Sequence, residues 1–415
     1  MLGTGRDRTQ DNTRQKTFSR LSDDDMHDLS HGERNAEVDG RLGQLDQAHT
    51  FGAKLEGVPA RGVVLEVRKG NFLTRILECK ASVNEGLDIT QGLSHTLEMK
   101  GQTERPVSPF ISKVGMTLRT FVRGTLQQFD LGLSSVVAPG DEIELVVPTA
   151  NNANDLIQQD IHGILTAVLP RRSEFRRVHP SGRSLQTLAA NVDRVFVVAS
   201  TAEPAFRPGF VDRVLVCAAA SGLSAALIMN KIDLGIAAAD EALLDVYRSL
   251  GIPIFKVSAT GAGTATNEIE ALKTALAGSR SVLTGHSGVG KSSLLLALDS
   301  SLSGATVRTG GISNQTGKGT HTTTHAKLFS LQLGNGMQAE VVDTPGVREF
   351  TPTDTDRQNL WGWFPEMAKL QGQCAYANCT HTREKGCAVL EALERGEIHP
   401  RRHQSYVRIY ETLPQ

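Results

Sequence analysis

At 415 residues the chain exceeds the roughly 150 typical of one domain, so two or three packed units are expected. Hydrophobic residues make up 39% and charged residues 21%, with a mean hydropathy of -0.20, which excludes a membrane protein and a wholly disordered one. Lys and Arg total 44 against 45 Asp and Glu, a formal charge of -1, so a nucleic-acid partner has to be met by a local surface.

Residues 1–50 carry nine large apolar side chains, with seven basic and ten acidic residues, too little apolar surface to offset the entropy of ordering. A disordered, solvated extension is expected there. No apolar run reaches the length of a secretory leader or a membrane span, so a cytoplasmic chain with no membrane association is expected.

From residue 51 to about 170 the texture is β-rich: Gly62 to Val67, Phe72 to Leu77, Met116 to Val122, and Glu142 to Val147 behind the turn Pro139-Gly140-Asp141. Short strands without helices suggest a small barrel, with an OB-like five-stranded barrel as one form it could take. Residues 80–115 show no pattern that places them. After Ile164 to Leu169 comes a run with four arginines, Arg171, Arg172, Arg176 and Arg177. It reads as a basic connector, either a solvated linker or a surface that contacts phosphate.

Between residues 171 and 355 apolar strands alternate with helical segments: Val195 to Ala199, Ala225 to Met229, Ile252 to Val257, Ser281 to Thr284 and Glu340 to Val342. That alternation predicts a parallel sheet with helices on both faces. Within it, Gly285-His286-Ser287-Gly288-Val289-Gly290-Lys291-Ser292 satisfies the phosphate-loop pattern between a strand and the helical Ser293 to Leu298. The glycines let backbone N–H groups wrap phosphate oxygens at a helix N-terminus. Lys291 neutralises the terminal phosphates, and Ser292 offers a hydroxyl to Mg²⁺.

A phosphate loop alone does not choose a base. Asn230-Lys231-Ile232-Asp233 ends an apolar strand, and a carboxylate at Asp233 matches the N1–H and 2-amino donors of guanine, which adenine lacks. Asn230 would tie the loop together, with the Lys231 stem along the base. Ser258 and Ala259, after a further strand, would present N–H groups to the guanine carbonyl. Val341-Val342-Asp343-Thr344-Pro345-Gly346 places Asp343 for the outer shell of Mg²⁺ and Gly346 for the γ-phosphate. Between them, the polar run Thr316 to His325 has the character of a switch, with Thr322 or Thr323 as the Mg²⁺ hydroxyl.

In most GTPases the phosphate loop comes first, whereas here the base-reading loop precedes it. Cutting a chain elsewhere and joining its old ends preserves strand neighbours, so the order predicts a circularly permuted G domain. Its last segment runs into residues 356–415, where Cys374, Cys379, His381 and Cys387 form a closed tetrahedral set for one structural Zn²⁺ in a small helical domain. The plainer alternative is three free cysteines in a loop. Cys79 and Cys217 stand apart.

With these motifs in place the sequence resembles the RsgA (YjeQ) family over residues 57–412. The resemblance implies a multidomain α/β protein: an OB-like barrel, a circularly permuted GTPase domain and a zinc domain. It implies Mg²⁺-dependent hydrolysis of GTP to GDP stimulated by the small ribosomal subunit during its maturation, rRNA contact through the barrel and zinc domains, and Zn²⁺ on Cys374, Cys379, His381 and Cys387. It also places guanine nucleotide on Asn230 to Asp233 and on Gly285 to Ser293. A monomer is expected. The 50-residue extension and the insert in the β domain depart from the compact family pattern. Val347 stands where Ras-like enzymes carry a water-positioning glutamine, so His321, or a group supplied by the ribosome, is expected to orient the attacking water. The competing reading is an RNA-binding assembly factor that uses guanine nucleotide as a passive switch.

Overall fold

Five strands close on themselves near the start of the folded chain: β1 (Val58–Arg68), β2 (Asn71–Cys79), β3 (Thr117–Phe121), β4 (Glu142–Val147) and β5 (His162–Val168). Their order is β1-β2-β3-β5-β4, with β4 returning to pair antiparallel with β1 and with β3 and β5 parallel. That closure buries Val64, Phe72, Ile76, Leu118, Ile143, Leu145 and Leu165 in one apolar interior and leaves no free strand edge among them. The computed structural model describes residues 58–68, 71–79, 114–122, 137–147, 162–178, 185–261, 268–302, 326–344, 350, 352–353 and 355–413. The expected N-terminal extension, residues 1–50, and nearly all of the insert near 80–115 lie outside the described residues.

The arginine-rich run expected as a connector is structured. Glu174–Val178 forms β6, which pairs antiparallel with β7 (Leu185–Ala190). Arg171 holds the buried Asp141 with Nε at 2.7 Å and Nη2 at 2.9 Å and reaches Glu174 at 2.9 Å, while Arg172 pairs with Asp193. Asp141 belongs to the 139–141 turn, whose Gly140 carbonyl accepts from Asn191 at 3.0 Å and Arg280 at 2.8 Å. Arg171 and Arg172 are therefore spent on fastening this junction, while Arg176 pairs with Glu174 and Arg177 with Gln186 inside the hairpin.

That sheet is built from β8 (Arg194–Ser200), β9 (Ser224–Asn230), β10 (Ile254–Lys256), β11 (Arg280–Gly285), β12 (Lys327–Gly334) and β13 (Met337–Asp343), ordered β10-β9-β8-β11-β13-β12. The first five in that order are parallel. The strand next to the barrel, β12, is antiparallel to β13, which the expectation of a purely parallel sheet omitted. β12 also meets the barrel at Glu66 opposite Lys327, so barrel and sheet are hydrogen-bonded into one continuous surface.

Alternate residues of each strand serve opposite faces. Val195, Val197, Leu227 and Met229 pack under α1 (Pro208–Ala220) and α2 (Ala238–Ser249). Phe196, Val198, Ala226 and Ile228 pack under α3 (Ile269–Leu276) and α4 (Lys291–Leu298). The C-terminal helices are α5 (Pro365–Ala368), α6 (Ala388–Glu394) and α7 (Pro400–Thr412). They share a core with the outward-facing Val216 of α1, built on Leu360, Phe364, Met367, Tyr406 and Ile409. All of this belongs to one compact unit, Leu55–Gln415.

Candidate functional site

Parallel strands aim their C-terminal ends, and the loops beyond them, at one edge of the sheet, where ligand crevices form. β9 ends at Asn230, β10 precedes Ser258, β11 ends at Gly285 and β13 ends at Asp343, so four predicted site segments leave the same edge.

Asn230, 1% exposed, joins three of the loops. Its Nδ2 donates to the Val289 carbonyl at 2.9 Å, and its Oδ1 accepts from the Ala259 N–H at 3.1 Å. The closeness explains a glycine: a Cβ on Gly290 would lie 2.4 Å from Asn230 Nδ2, and Gly290 caps α4 at φ +92°. Any side chain there would both strain the backbone and evict Asn230. Lys231 adopts a left-handed φ of 61° and turns the chain so that Ile232 is buried while Asp233 is exposed. Ser258 Oγ donates to Asp233 Oδ1 at 2.6 Å, which fixes the carboxylate's orientation.

Lys291 and Asp343 form the electrostatic centre. Lys291 Nζ donates to the carbonyls of Gly285 at 3.0 Å and His286 at 3.4 Å, beneath the loop. Burial lowers the Lys291 pKa, with the Asp343 carboxylate opposing. Burial pushes Asp343 up to about 6, with the Lys291 ammonium pulling it down. Asp343 Oδ1 is buried with no hydrogen-bond partner among the described residues, the condition of a carboxylate that serves a hydrated cation. Ser292 sits half-buried and Ser293 exposed in the first turn of α4. The site therefore fits a magnesium-bound nucleotide in its donors and its orphaned acceptor.

The second centre lies among the C-terminal helices. The ligand atoms of Cys374, Cys379, His381 and Cys387 all fall within 4.8 Å of one another. Cys374 Sγ is 3.5 Å from His381 Nδ1 and 4.0 Å from Cys387 Sγ, and His381 Nδ1 is 3.4 Å from Cys387 Sγ. A zinc tetrahedron with bonds of about 2.3 Å to sulfur and 2.0 Å to nitrogen has edges of about 3.8 and 3.5 Å. The four side chains thus fit one zinc ion. Burial pushes the Cys379 thiol up to about 12 and lowers the His381 imidazole, so a divalent cation is what allows thiolates to share this volume. Desolvation of Glu384 is outweighed by donors from Thr380 and backbone N–H groups, which hold its carboxylate down at about 2 and fasten the knuckle.

Comparison with known proteins points the same way. The RsgA GTPase family model matches residues 168–353. A Pseudomonas aeruginosa protein named small ribosomal subunit biogenesis GTPase RsgA is 44% identical over 257 residues, 61% of this chain and 72% of that protein. Its namesake from Chlorobaculum parvum is 38% identical over 287 residues, 68% of this chain and 86% of the relative. The chain belongs to the RsgA GTPase family. The crystal structure of YjeQ from Thermotoga maritima aligns with a TM-score of 0.53 at 25% identity, covering 85% of this chain and 98% of that one. YloQ, described as a circularly permuted GTPase, shares the fold with a TM-score of 0.50 at 20% identity, covering 88% and 99% of the two chains.

Of the predicted residues, Asn230, Lys231, Ile232, Asp233, Ser258, Ala259, Gly285 to Ser293 and Asp343 are brought to one edge, and the four metal ligands to one point. His321, Thr322, Thr323 and Gly346 lie outside the described residues. Sequence reasoning missed Thr201 and Glu203. Thr201 Oγ1 donates to the Lys231 carbonyl at 2.7 Å, and the Lys231 ammonium donates to the Glu203 carbonyl. Only the end of β8 at the same sheet edge could have pointed to them.

Proposed function

We propose that this RsgA-family chain binds GTP with Mg²⁺ and hydrolyses it to GDP in biogenesis of the small ribosomal subunit. The observation that carries the reading is Asn230, whose amide joins the phosphate loop at Val289 to the second base loop at Ala259. Base recognition and phosphate binding are thereby parts of one rigid site. Asp233, oriented by Ser258, accepts from guanine. Lys291 and the N–H groups of the 285–293 segment hold the phosphates. Ser292, with Thr322 or Thr323, and the outer-shell carboxylate of Asp343 hold the cation. Gly346 reads the γ-phosphate. When bound, Mg²⁺ neutralises charge on the transferring phosphoryl group. His321 orients the attacking water in place of a glutamine, since Val347 has no hydrogen-bonding side chain.

In the same reading the units are the extension 1–50, the OB-like barrel 51–170, the permuted GTPase domain 171–355 and the zinc domain 356–415. The barrel and zinc domains contact rRNA, and the protein works as a monomer in the cytoplasm. The test is GTP hydrolysis measured in parallel with small subunits, large subunits and buffer. Stimulation by small subunits alone is expected; equal rates in all three refute it. Val347 also favours a second reading, an RNA-binding assembly factor in which nucleotide is a passive switch. Negligible turnover even with small subunits would select that reading.

A further inference from the structure

Between β8 and α1 the chain arches over the phosphate loop. Ser200 Oγ donates to the Pro204 carbonyl at 2.6 Å and closes the arch, and a Cβ on Gly288 would lie 3.3 Å from Pro204 Cδ. At its far end Arg207, exposed at the cap of α1, brings Nη1 to 3.0 Å from Nε2 of His286, the second residue of the phosphate loop. Phe210, within the first turn of α1, sets its ring edge-on to the same imidazole, with centroids 6.3 Å apart at 81°.

The chemistry of these groups fixes the hydrogens. A guanidinium only donates, so His286 Nε2 is an acceptor and the proton sits on Nδ1. Nδ1 lies 3.1 Å from the Ser287 carbonyl, which only accepts. Both nitrogens are satisfied in the same tautomer, and the ring is held from two sides. The Ser287 carbonyl belongs to the peptide unit whose N–H is that of Gly288. In a planar trans peptide C=O and N–H point in opposite directions, so a carbonyl pinned on the imidazole aims the Gly288 N–H the other way.

We propose that Arg207 is a positioning residue for the phosphates of the bound nucleotide: acting through His286, it locks the Ser287–Gly288 peptide so that the Gly288 N–H is already aimed when a nucleoside di- or triphosphate arrives. This rests on the reading of residues 285–293 as the phosphate site. The gain is pre-organisation, since a loop already fixed loses less freedom on binding. Arg207 need not touch phosphate, and GDP and GTP benefit alike.

The test is the affinity of the full-length protein for fluorescent GDP and GTP in Arg207→Ala, Arg207→Lys, His286→Ala and the Ala/Ala double variant, with KM and kcat for GTP alongside. Arg207→Ala is expected to weaken both nucleotides about fivefold, the worth of one partly exposed hydrogen bond, with the loss in KM and not in kcat. Arg207→Lys restores most of it, because an ammonium also donates to Nε2. The double variant is no weaker than His286→Ala alone, as a residue acting only through His286 requires. Unchanged affinity in Arg207→Ala overturns the proposal, as do additive losses or a loss confined to GTP or to kcat, which would mark direct contact with phosphate. Failure of the underlying reading looks different: the unmodified protein would then bind neither nucleotide.

Discussion

Replacing Arg402 by methionine removes the cation that, among the described residues, compensates two carboxylates at the seam between α1 and the C-terminal helices. Arg402 is 2% exposed and Asp212 is 0% exposed. The guanidinium donates to Glu366 through Nε at 2.7 Å and Nη2 at 3.2 Å and to Asp212 through Nη1, and it lies over the rings of Phe364 at 4.7 Å and Tyr247 at 5.5 Å. Methionine keeps the apolar stem against those rings but leaves Asp212 with only hydroxyl donors, Ser405 and Tyr247, the latter at 2.7 Å. Breaking a buried pair on one side costs about 3–5 kcal/mol. Proton uptake limits the Asp212 share of that figure: neutralising a carboxyl of ordinary pKa 3.8 at pH 7 costs about 4 kcal/mol. The expected loss at pH 7 is therefore about 3–5 kcal/mol.

That limit gives the prediction a pH dependence. Burial already raises Asp212 while Arg402 lowers it, so the variant raises it further. With the folded pKa above the unfolded one, the penalty is absent below the unfolded value and grows by about 1.4 kcal/mol per pH unit up to the folded pKa. Moving from pH 7 to 5.5 should therefore shrink the difference between variant and parent. Urea unfolding read by tryptophan emission reports on this seam selectively, because the two tryptophans are Trp361 and Trp363 in the C-terminal unit. A loss below about 1 kcal/mol, or one that does not shrink on acidification, would show that Arg402 does not compensate these carboxylates.

Asp233→Asn should weaken GTP at least about tenfold and admit the xanthine nucleotide, whose C2 carbonyl accepts from the new amide; competition of labelled GTP by GTP and XTP checks this. Cys387→Ser should lower bound zinc from one per chain to near none, and metal analysis should show it together with altered emission from Trp361, whose ring lies 5.9 Å from that of His381. Because Asp343 is raised to about 6, the Mg²⁺ concentration needed for half-maximal hydrolysis should climb as pH falls from 7.5 to 5.5 and the carboxylate protonates. An unchanged requirement would place Asp343 outside the cation's shell. Lys291→Ala should abolish turnover, and full activity would sink the phosphate-loop assignment.

Some of the fold is legible in places where charge and polarity mask it. β12 is easily missed because it lies after a polar, glycine-containing stretch, yet its Leu331 and Leu333 alternate with Ser330 and Gln332, and Asn335-Gly336 is the turn that joins it to β13. The arginine run reads by its charge as a connector, and nothing local says that Arg171 is consumed by Asp141, 30 residues back. The site motifs are legible because each is a short run whose backbone shape and chemistry are set together: glycines at left-handed positions, a carboxylate after an apolar strand, thiols at metal spacing.

The sequence by itself determined which chemistries the chain carries and, through the order of the motifs, that its nucleotide domain is permuted, since phosphate wrapping, guanine selection and zinc ligation each depend on residues a few positions apart. Tertiary structure decided how those pieces act on one another: that Asn230 binds across to Val289, that Lys231 rests on Glu203, that Arg207 reaches His286, and that Arg402 clasps α1 through Asp212. These contacts join residues 28 to 190 positions apart along the chain. Only packing brings such partners together, and no local pattern in the sequence records the distance between them.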